Sequence, residues 1–364
     1  MSSYWNSRVR TLSPYVPGEQ PGDRIIAKLN TNENPYPPSP LALEVIRKAV
    51  GEKLKLYPDL ESRAIREAAA AAYHVKPEQV FAGNGSDEIL AFIFGAFFEA
   101  GPATDPVLFP DVTYSFYEVY ANLWGVPFRT VPLRKDFSVN PEDYLAPAGG
   151  VVLANPNAPT GIAQEPAGIL SIVEYQAGAG RIVVVDEAYG AFTGSVFSGT
   201  VSVTPYIDRY PNLLTVHTLS KVGGLAGLRA GFAIGQEELI DGLRRMRDSF
   251  NSYPVDRLAQ AGAAAALSDA AYYGETTRRI IATRERVTAS LAALGFETLP
   301  SRTNFVFTRY PGKSGAELLA GLRKQGILVR HFNKPGISGF LRVSIGTDSE
   351  MDRFLEVCKE LRQS

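Results

Sequence analysis

The sequence predicts an α/β fold. A large domain is built on a mostly parallel sheet, and a smaller α+β domain follows it at the C-terminus. Three observations carry this. Between residues 80 and 235, short β-branched runs alternate with helical stretches, the pattern of parallel strands joined by crossover helices. Near Leu239 the pattern changes to long helices. Beyond them strand-like runs return with two more helices. A chain of 364 residues suits one large and one small domain better than a single small core.

The first ~40 residues read as an irregular arm, rich in Pro and Asn ("TNENPYPPSP"). A helix is predicted from Ser39, with Pro40 just inside it. "LESRAIREAAAAAY" is helical by propensity. "QVFAG" is a strand, followed by the helix "EILAFIFGAFFEAG". "PVLFP" is a strand, and "DVTYSFYEVYANLWG" is read as helical throughout. "GVVLANPN", "RIVVVDEAY", "LLTVHTLSK" and "RAGFAIG" are buried strands. "EELIDGLRRMRDSF" and one long helical stretch, from Asp256 to Gly295, bridge to the second domain. There "NFVFTRY", "ILVRHF" and "GFLRVSIG" are strands, with helices "SGAELLAGLRKQG" and "DSEMDRFLEVCKELRQ" on them. The domains are expected at 1–45 (arm), 46–250 (large) and 251–364 (small).

Bulk properties remove several function classes. Net charge is −1 and the basic residues are scattered, so no strong field draws the chain to nucleic acid or anionic membrane. The longest apolar run, around "ILAFIFGAFFEAG", is too short to span a bilayer. One cysteine, Cys358, forms no internal disulfide. His74, His217 and His331 are far apart in sequence, so no metal site is expected. The N-terminus lacks the apolar core of a signal peptide, and a cytoplasmic location is expected.

The unusual polar residues fall at strand ends, where open α/β sheets bind ligands. Gly85-Ser86-Asp87 follow one strand, Asn155 to Gly161 a second, Asp186 to Tyr189 a third, and Ser220-Lys221 a fourth. Each alone reads as a turn, a cap or a solvated lysine. Together they make a constellation. A lysine that forms an imine with an aldehyde needs a deprotonated amine, which burial or a nearby cation supplies. Backbone N–H groups at the helix start near Ser86 and Asp87 suit a phosphate, and Ser220 and Arg229 add a hydroxyl and a bidentate cation. A buried Asp186 would keep a pyridine nitrogen protonated, a charge-assisted bond of roughly 1.5–3 kcal/mol. Tyr189 can reach a ring hydroxyl. The small residues Gly223, Gly224, Ala226 and Gly227 let the loop fold tightly beside Lys221. These requirements are those of pyridoxal 5′-phosphate (PLP).

The motifs "TNENPYPPSP", "YPD", "GNGSDE", "NPNAPTG", "DEAY", "TLSKVGGLAGLRAGF", "VRHF" and "FLRVSIG" occur in that order. In this the whole chain resembles the fold-type-I, aspartate-aminotransferase-like PLP enzymes. Within them "LNTNENPY" and "VRHF…GFLRVSIG" are most similar to the histidinol-phosphate aminotransferases. The resemblance implies that Lys221 is the Schiff-base lysine and the acid/base, with Asp186 on the pyridine nitrogen and Tyr189 on the ring oxygen. It implies that Tyr114 stacks on the ring and that Ser86, Asp87, Ser220 and Arg229 bind the phosphate. Tyr57 would reach the cofactor of a partner subunit in a homodimer. Arg342 would clamp a carboxylate, and Arg330 and Tyr36 would hold the far end of the substrate. The family often has Asn directly before Pro-Thr-Gly, where this chain has Ala158. Either Asn157 serves instead through a shifted turn, or Tyr189 makes the contact to the ring oxygen alone.

The activity so implied is transamination between L-histidinol phosphate and 2-oxoglutarate. An aromatic amino acid aminotransferase and a threonine-phosphate decarboxylase would use the same cofactor residues and stay open as alternatives. A non-catalytic sensor fits less well, since Lys221 is intact and no DNA-binding helix pair precedes the fold. The arm is placed to act as a lid.

Overall fold

A computed structural model describes residues 4–20, 25–197 and 199–362. The rest of the predicted arm, residues 1–3 and 21–24, lies outside the described residues. The large sheet has seven strands. Their order is Val80–Asn84, Ala230–Gly235, Leu213–Thr218, Val183–Asp186, Gly150–Ala154, Val107–Pro110, Phe128–Val131. Only Ala230–Gly235 runs against its neighbours; the other pairings are parallel.

The central strands are near-continuous β-branched runs because helices cover both faces of the sheet. Val151, Leu153, Val183, Val185 and Leu213 pack on one face. Val152, Ala154, Val184, Leu214 and Val216 pack on the other, as the two-residue period of a strand demands. Register then aligns the strand ends. Ala154 pairs with Asp186, Asp186 with Val216, and Thr218 with Gly231. The polar residues just beyond these positions therefore share one edge.

The C-terminal sheet has four antiparallel strands, in the order Arg330–His331, Leu341–Ser344, Phe305–Arg309, Glu297–Thr298. "ILVRHF" is not one strand. It breaks at Val329, and Ile327–Leu328 pairs in parallel with Ala27–Lys28 of the arm. The arm is thus less irregular than its composition suggests: it also carries the helix Ser7–Thr11.

Two helices differ from expectation. The one after Val107–Pro110 starts only at Phe116, which leaves Asp111 to Ser115 as a loop at the cavity. The long stretch after Pro254 is two helices, Arg257–Ser268 and Ala270–Ala293, broken at Asp269, whose side chain caps the second. The first packs on helices Pro40–Ala49 and Arg63–Tyr73, beside the large sheet; the second packs on Glu297–Thr298 and Phe305–Arg309. A Cβ at Gly262 would sit 2.8 Å from Ile46, so the close approach of the first helix depends on glycine. The packing partners of the chain change at Asp269. Helix starts follow local chemistry: the Ser39 hydroxyl accepts from the Ala42 N–H with Pro40 as the first residue, and Asp256 accepts from two N–H groups.

Candidate active site

A cavity opens at the shared edge of the large sheet. Eight of the expected residues line it: Ser86, Asp87, Tyr114, Asp186, Tyr189, Ser220, Lys221 and Arg229. Ala154, Ala158, Ala188 and Thr218 complete the wall.

Asp186 ends its strand in this wall, 5% exposed. Its Oδ1 accepts from the Ala188 N–H at 3.1 Å and its Oδ2 from the Tyr117 hydroxyl at 3.0 Å. Burial pushes its pKa up to about 6, against the pull of those two donors. Among the described residues it has no ion-pair partner. A buried carboxylate so placed can take a cation brought in by a ligand as its partner. Lys221 follows the neighbouring strand, and its Nζ donates to the Thr31 carbonyl at 2.9 Å. Burial first, and then the positive charge of Arg342, lowers its pKa to about 8. An amine of that pKa is part-neutral near neutral pH and serves as a nucleophile and a base.

The opposite end of the cavity suits an anion. Helix Gly85–Phe97 begins there, and Asn84 does not cap it: its amide donates instead to the Pro254 carbonyl at 2.8 Å. The first helical N–H groups are therefore left for another acceptor. Arg229 meets Asp87 Oδ2 at 2.7 Å, and its second amino group reaches Ser220 Oγ at 3.4 Å. Gly85, at φ +77°, would carry a Cβ 2.8 Å from Arg229. A Cβ on Gly231 would meet Gly85 C and Ser86 N at 2.7 Å. Both glycines let backbone and guanidinium close around a small group. Tyr114 presents its ring to the cavity with its hydroxyl donating to Asp87 at 2.8 Å.

Two arginines lie toward the small domain. Arg342 is held between Phe305 and Phe332, each ring centroid 5.5 Å away. It donates to the Asn30 carbonyl at 3.1 Å, while its buried Nε has no partner among the described residues. Burial lowers its pKa, and it remains a cation. Arg330 donates to the carbonyls of Val16 and Pro17 at 2.8 and 3.0 Å. Neither arginine makes an ion pair among the described residues. The neighbouring Tyr15 stacks on Phe116 at 4.3 Å, so the arm runs alongside the site.

Three expected residues stand elsewhere. Asn157 does not line the cavity. Its amide donates to the Val112 carbonyl and Thr160, and its oxygen accepts from Thr113. The turn therefore presents Ala158 to the cavity, and the Asn157 side chain is directed to these partners instead. Tyr57 is 78% exposed and stacked on Tyr253, outside this cavity. Tyr36 lies under the Arg279 guanidinium at 4.2 Å and is not part of the wall.

Sequence reasoning missed Tyr117, Thr31 and Asn32. Tyr117, fully buried, sits one turn after Tyr114, and that spacing was its only signal. Thr31 acts through its carbonyl, which no side-chain pattern reveals. Asn32 lay inside "TNEN" but read as loop.

The donor set fits PLP on these observations: an unpaired buried carboxylate, an uncapped helix start with an arginine, and a lysine of lowered pKa. Comparison with known proteins agrees. The family described as aminotransferase class I and II matches residues 24–357. The chain is 51% identical to the histidinol-phosphate aminotransferase of Acetobacter pasteurianus, over 99% of this chain and 98% of that one. It is 52% identical to histidinol-phosphate aminotransferase 1 of Bordetella parapertussis over the full length of both. The structure of the Sinorhizobium meliloti histidinol-phosphate aminotransferase in complex with pyridoxal-5′-phosphate superposes with a TM-score of 0.87 at 28% identity, covering 100% of this chain and 98% of that one. The fold also matches a Thermus thermophilus aspartate aminotransferase mutant, with a TM-score of 0.82 at 20% identity, covering 99% of this chain and 100% of that one. The chain belongs to the class I and II aminotransferases, among the histidinol-phosphate aminotransferases, and is a PLP-dependent transferase.

Proposed function

We propose that the protein transfers the amino group of L-histidinol phosphate to 2-oxoglutarate, giving imidazole-acetol phosphate and L-glutamate, in histidine biosynthesis. The observation that carries this reading is the pair Arg342 and Arg330, two guanidinium groups beside the cavity with carbonyl partners but no carboxylate partner among the described residues. The two substrates share an anionic far end, phosphate in one and carboxylate in the other, which Arg330 serves. Arg342 takes the α-carboxylate that glutamate has and histidinol phosphate lacks. The names of the full-length relatives support the same donor.

PLP, when bound, supplies the aldehyde and the electron-withdrawing ring that make an α-proton acidic. The chain supplies the rest. Asp186 holds the ring nitrogen's proton. Tyr189 donates to the ring oxygen, with no amide from Ala158 to share the task. The helix start at Ser86 and Asp87, with Ser220 and Arg229, binds the phosphate, and Tyr114 covers the ring. Lys221 Nζ takes the substrate α-proton, and a pKa near 8 suits that work close to neutral pH. The active unit is a cytoplasmic homodimer in which Tyr57 reaches the partner's site. The exposed Leu54, Leu56, Tyr57 and Tyr253 give that contact an apolar surface. Tyr36 would help hold the substrate's far end in the assembled site.

The test is a half-reaction. The PLP-loaded protein is mixed without oxo acid with L-histidinol phosphate, L-phenylalanine or L-threonine phosphate, and conversion of the cofactor to its amino form is followed by absorbance. Fast conversion with histidinol phosphate alone is expected. Fast conversion only with phenylalanine, or carbon dioxide release from threonine phosphate, would overturn the substrate assignment.

A further inference from the structure

Asn32 is 1% exposed and adopts a left-handed backbone, φ 57°. Four hydrogen bonds hold it. Its N–H donates to Ser344 Oγ at 2.8 Å, and Ser344 Oγ donates to Asn32 Oδ1 at 2.9 Å. Its carbonyl accepts from Asn304 Nδ2 at 2.9 Å. Its own Nδ2 donates to the Tyr189 hydroxyl oxygen at 2.8 Å.

The order of donors decides the polarity. A serine hydroxyl has one proton. Ser344 Oγ gives that proton to Asn32 Oδ1 and accepts from the Asn32 N–H on a lone pair. The amide is thereby oriented with its oxygen on Ser344 and its NH₂ on Tyr189. Tyr189 accepts there, so its single proton points elsewhere, and the cavity it lines is the remaining direction. We infer that Asn32 is a positioning residue: it commits the Tyr189 hydroxyl to donate to the cofactor's ring oxygen, in place of the side-chain amide that Ala158 lacks. This rests on the contact between Tyr189 and the ring oxygen proposed above. Ser344 lies two residues beyond Arg342 on the strand Leu341–Ser344. The strand that carries the carboxylate-binding arginine also sets the donor at the ring.

A donor on the ring oxygen competes with the protonated nitrogen of the lysine linkage for that oxygen. Losing the donor holds the proton on that nitrogen to higher pH. The groups facing Tyr189 are Arg342, Asp186 and Tyr15, and none is altered by the variants used. Asn32→Asp keeps the size, tolerates the left-handed backbone and keeps the acceptor for Ser344. It turns an oxygen toward Tyr189, which must then donate to it. The pH midpoint of the visible absorbance of the PLP-loaded protein is expected to rise by about one pH unit, the scale of one charge-assisted hydrogen bond. Tyr189→Phe should show the same rise, and the double variant no more. Ser344→Ala, an uncharged control that frees the amide to rotate, should give a smaller rise of the same sign. Cofactor release should quicken in the same order. A wild-type midpoint in Asn32→Asp, or in Ser344→Ala if the first variant does not fold, with Tyr189→Phe shifted, overturns the role of Asn32. A wild-type midpoint in Tyr189→Phe overturns the ring-oxygen contact itself.

Discussion

Lys221 illustrates how one side chain carries both a function and a cost. Its pKa is about 8 in the fold against an ordinary 10.5. Between those values the unfolded chain holds a proton that the folded chain does not, so the stability of the cofactor-free protein rises with pH across that window. Below pH 8 the full cost of burying the cation is present. Lys221→Met should therefore abolish turnover yet stabilise the cofactor-free protein at pH 7, by roughly 1–2 kcal/mol after loss of the bond to Thr31. Urea unfolding should show that gain shrinking toward pH 10.5. Normal multiple turnover in the variant would sink the mechanism, and a gain independent of pH would sink the account of its pKa. Glu187, next to Asp186, is a different case. It is buried among Ser202, Val203 and Thr204 as donors, and burial raises its pKa to about 7. Its side chain anchors the loop after residue 200 and does not line the cavity.

At the scale of elements, the site is a consequence of register. The strand pairing that sets Thr218 against Gly231 also brings Ala230–Gly235 against the first turn of helix Gly85–Phe97. Gly231 is where the two backbones meet, and an added Cβ would lie 2.7 Å from Gly85 C and Ser86 N. Neither neighbour is a flexible side chain, so the helix start must move. Gly231→Ala should cost about 1–3 kcal/mol in stability and weaken PLP binding tenfold or more, because the displaced N–H groups are the proposed phosphate donors. Equal PLP affinity in Gly231→Ala and the unaltered protein, measured by fluorescence titration, would show that the helix start is not the phosphate site.

At the scale of the whole molecule, the arm links the small domain to the cavity of the large one. Ala27–Lys28 pairs with the C-terminal domain, Thr31 and Asn32 reach Lys221 and Tyr189, and Asn34 donates to the Val222 carbonyl. Further out, Val16 and Pro17 orient Arg330 through their carbonyls. Removing residues 1–18 should leave the fold and the Lys221 chemistry in place. It should raise KM for the proposed phosphorylated donor about tenfold, the worth of one oriented charge-assisted bond, with a smaller change in kcat. A truncated protein with unchanged KM would remove the arm from substrate binding.

Sequence alone determined the parallel sheet, because helix-covered strands must be apolar on both faces and such runs are visible as "VVLA" and "IVVV". It also determined the residues just beyond those strands, since motif and strand end are contiguous: Asp186, Tyr189, Ser220 and Lys221 all lie in the cavity wall. Tertiary structure alone decided what comes from far along the chain. Tyr117 reaches Asp186 across 69 positions and Asn32 reaches Tyr189 across 157, and neither pairing leaves a local pattern. It also set the direction of the Asn157 side chain. Three hydrogen bonds turn the asparagine away, because a buried amide must satisfy its donors and acceptor where partners exist. The arm's strand was hidden for a similar reason. Two residues, Ala27 and Lys28, carry no periodicity, and only the edge supplied by Ile327–Leu328 makes them a strand.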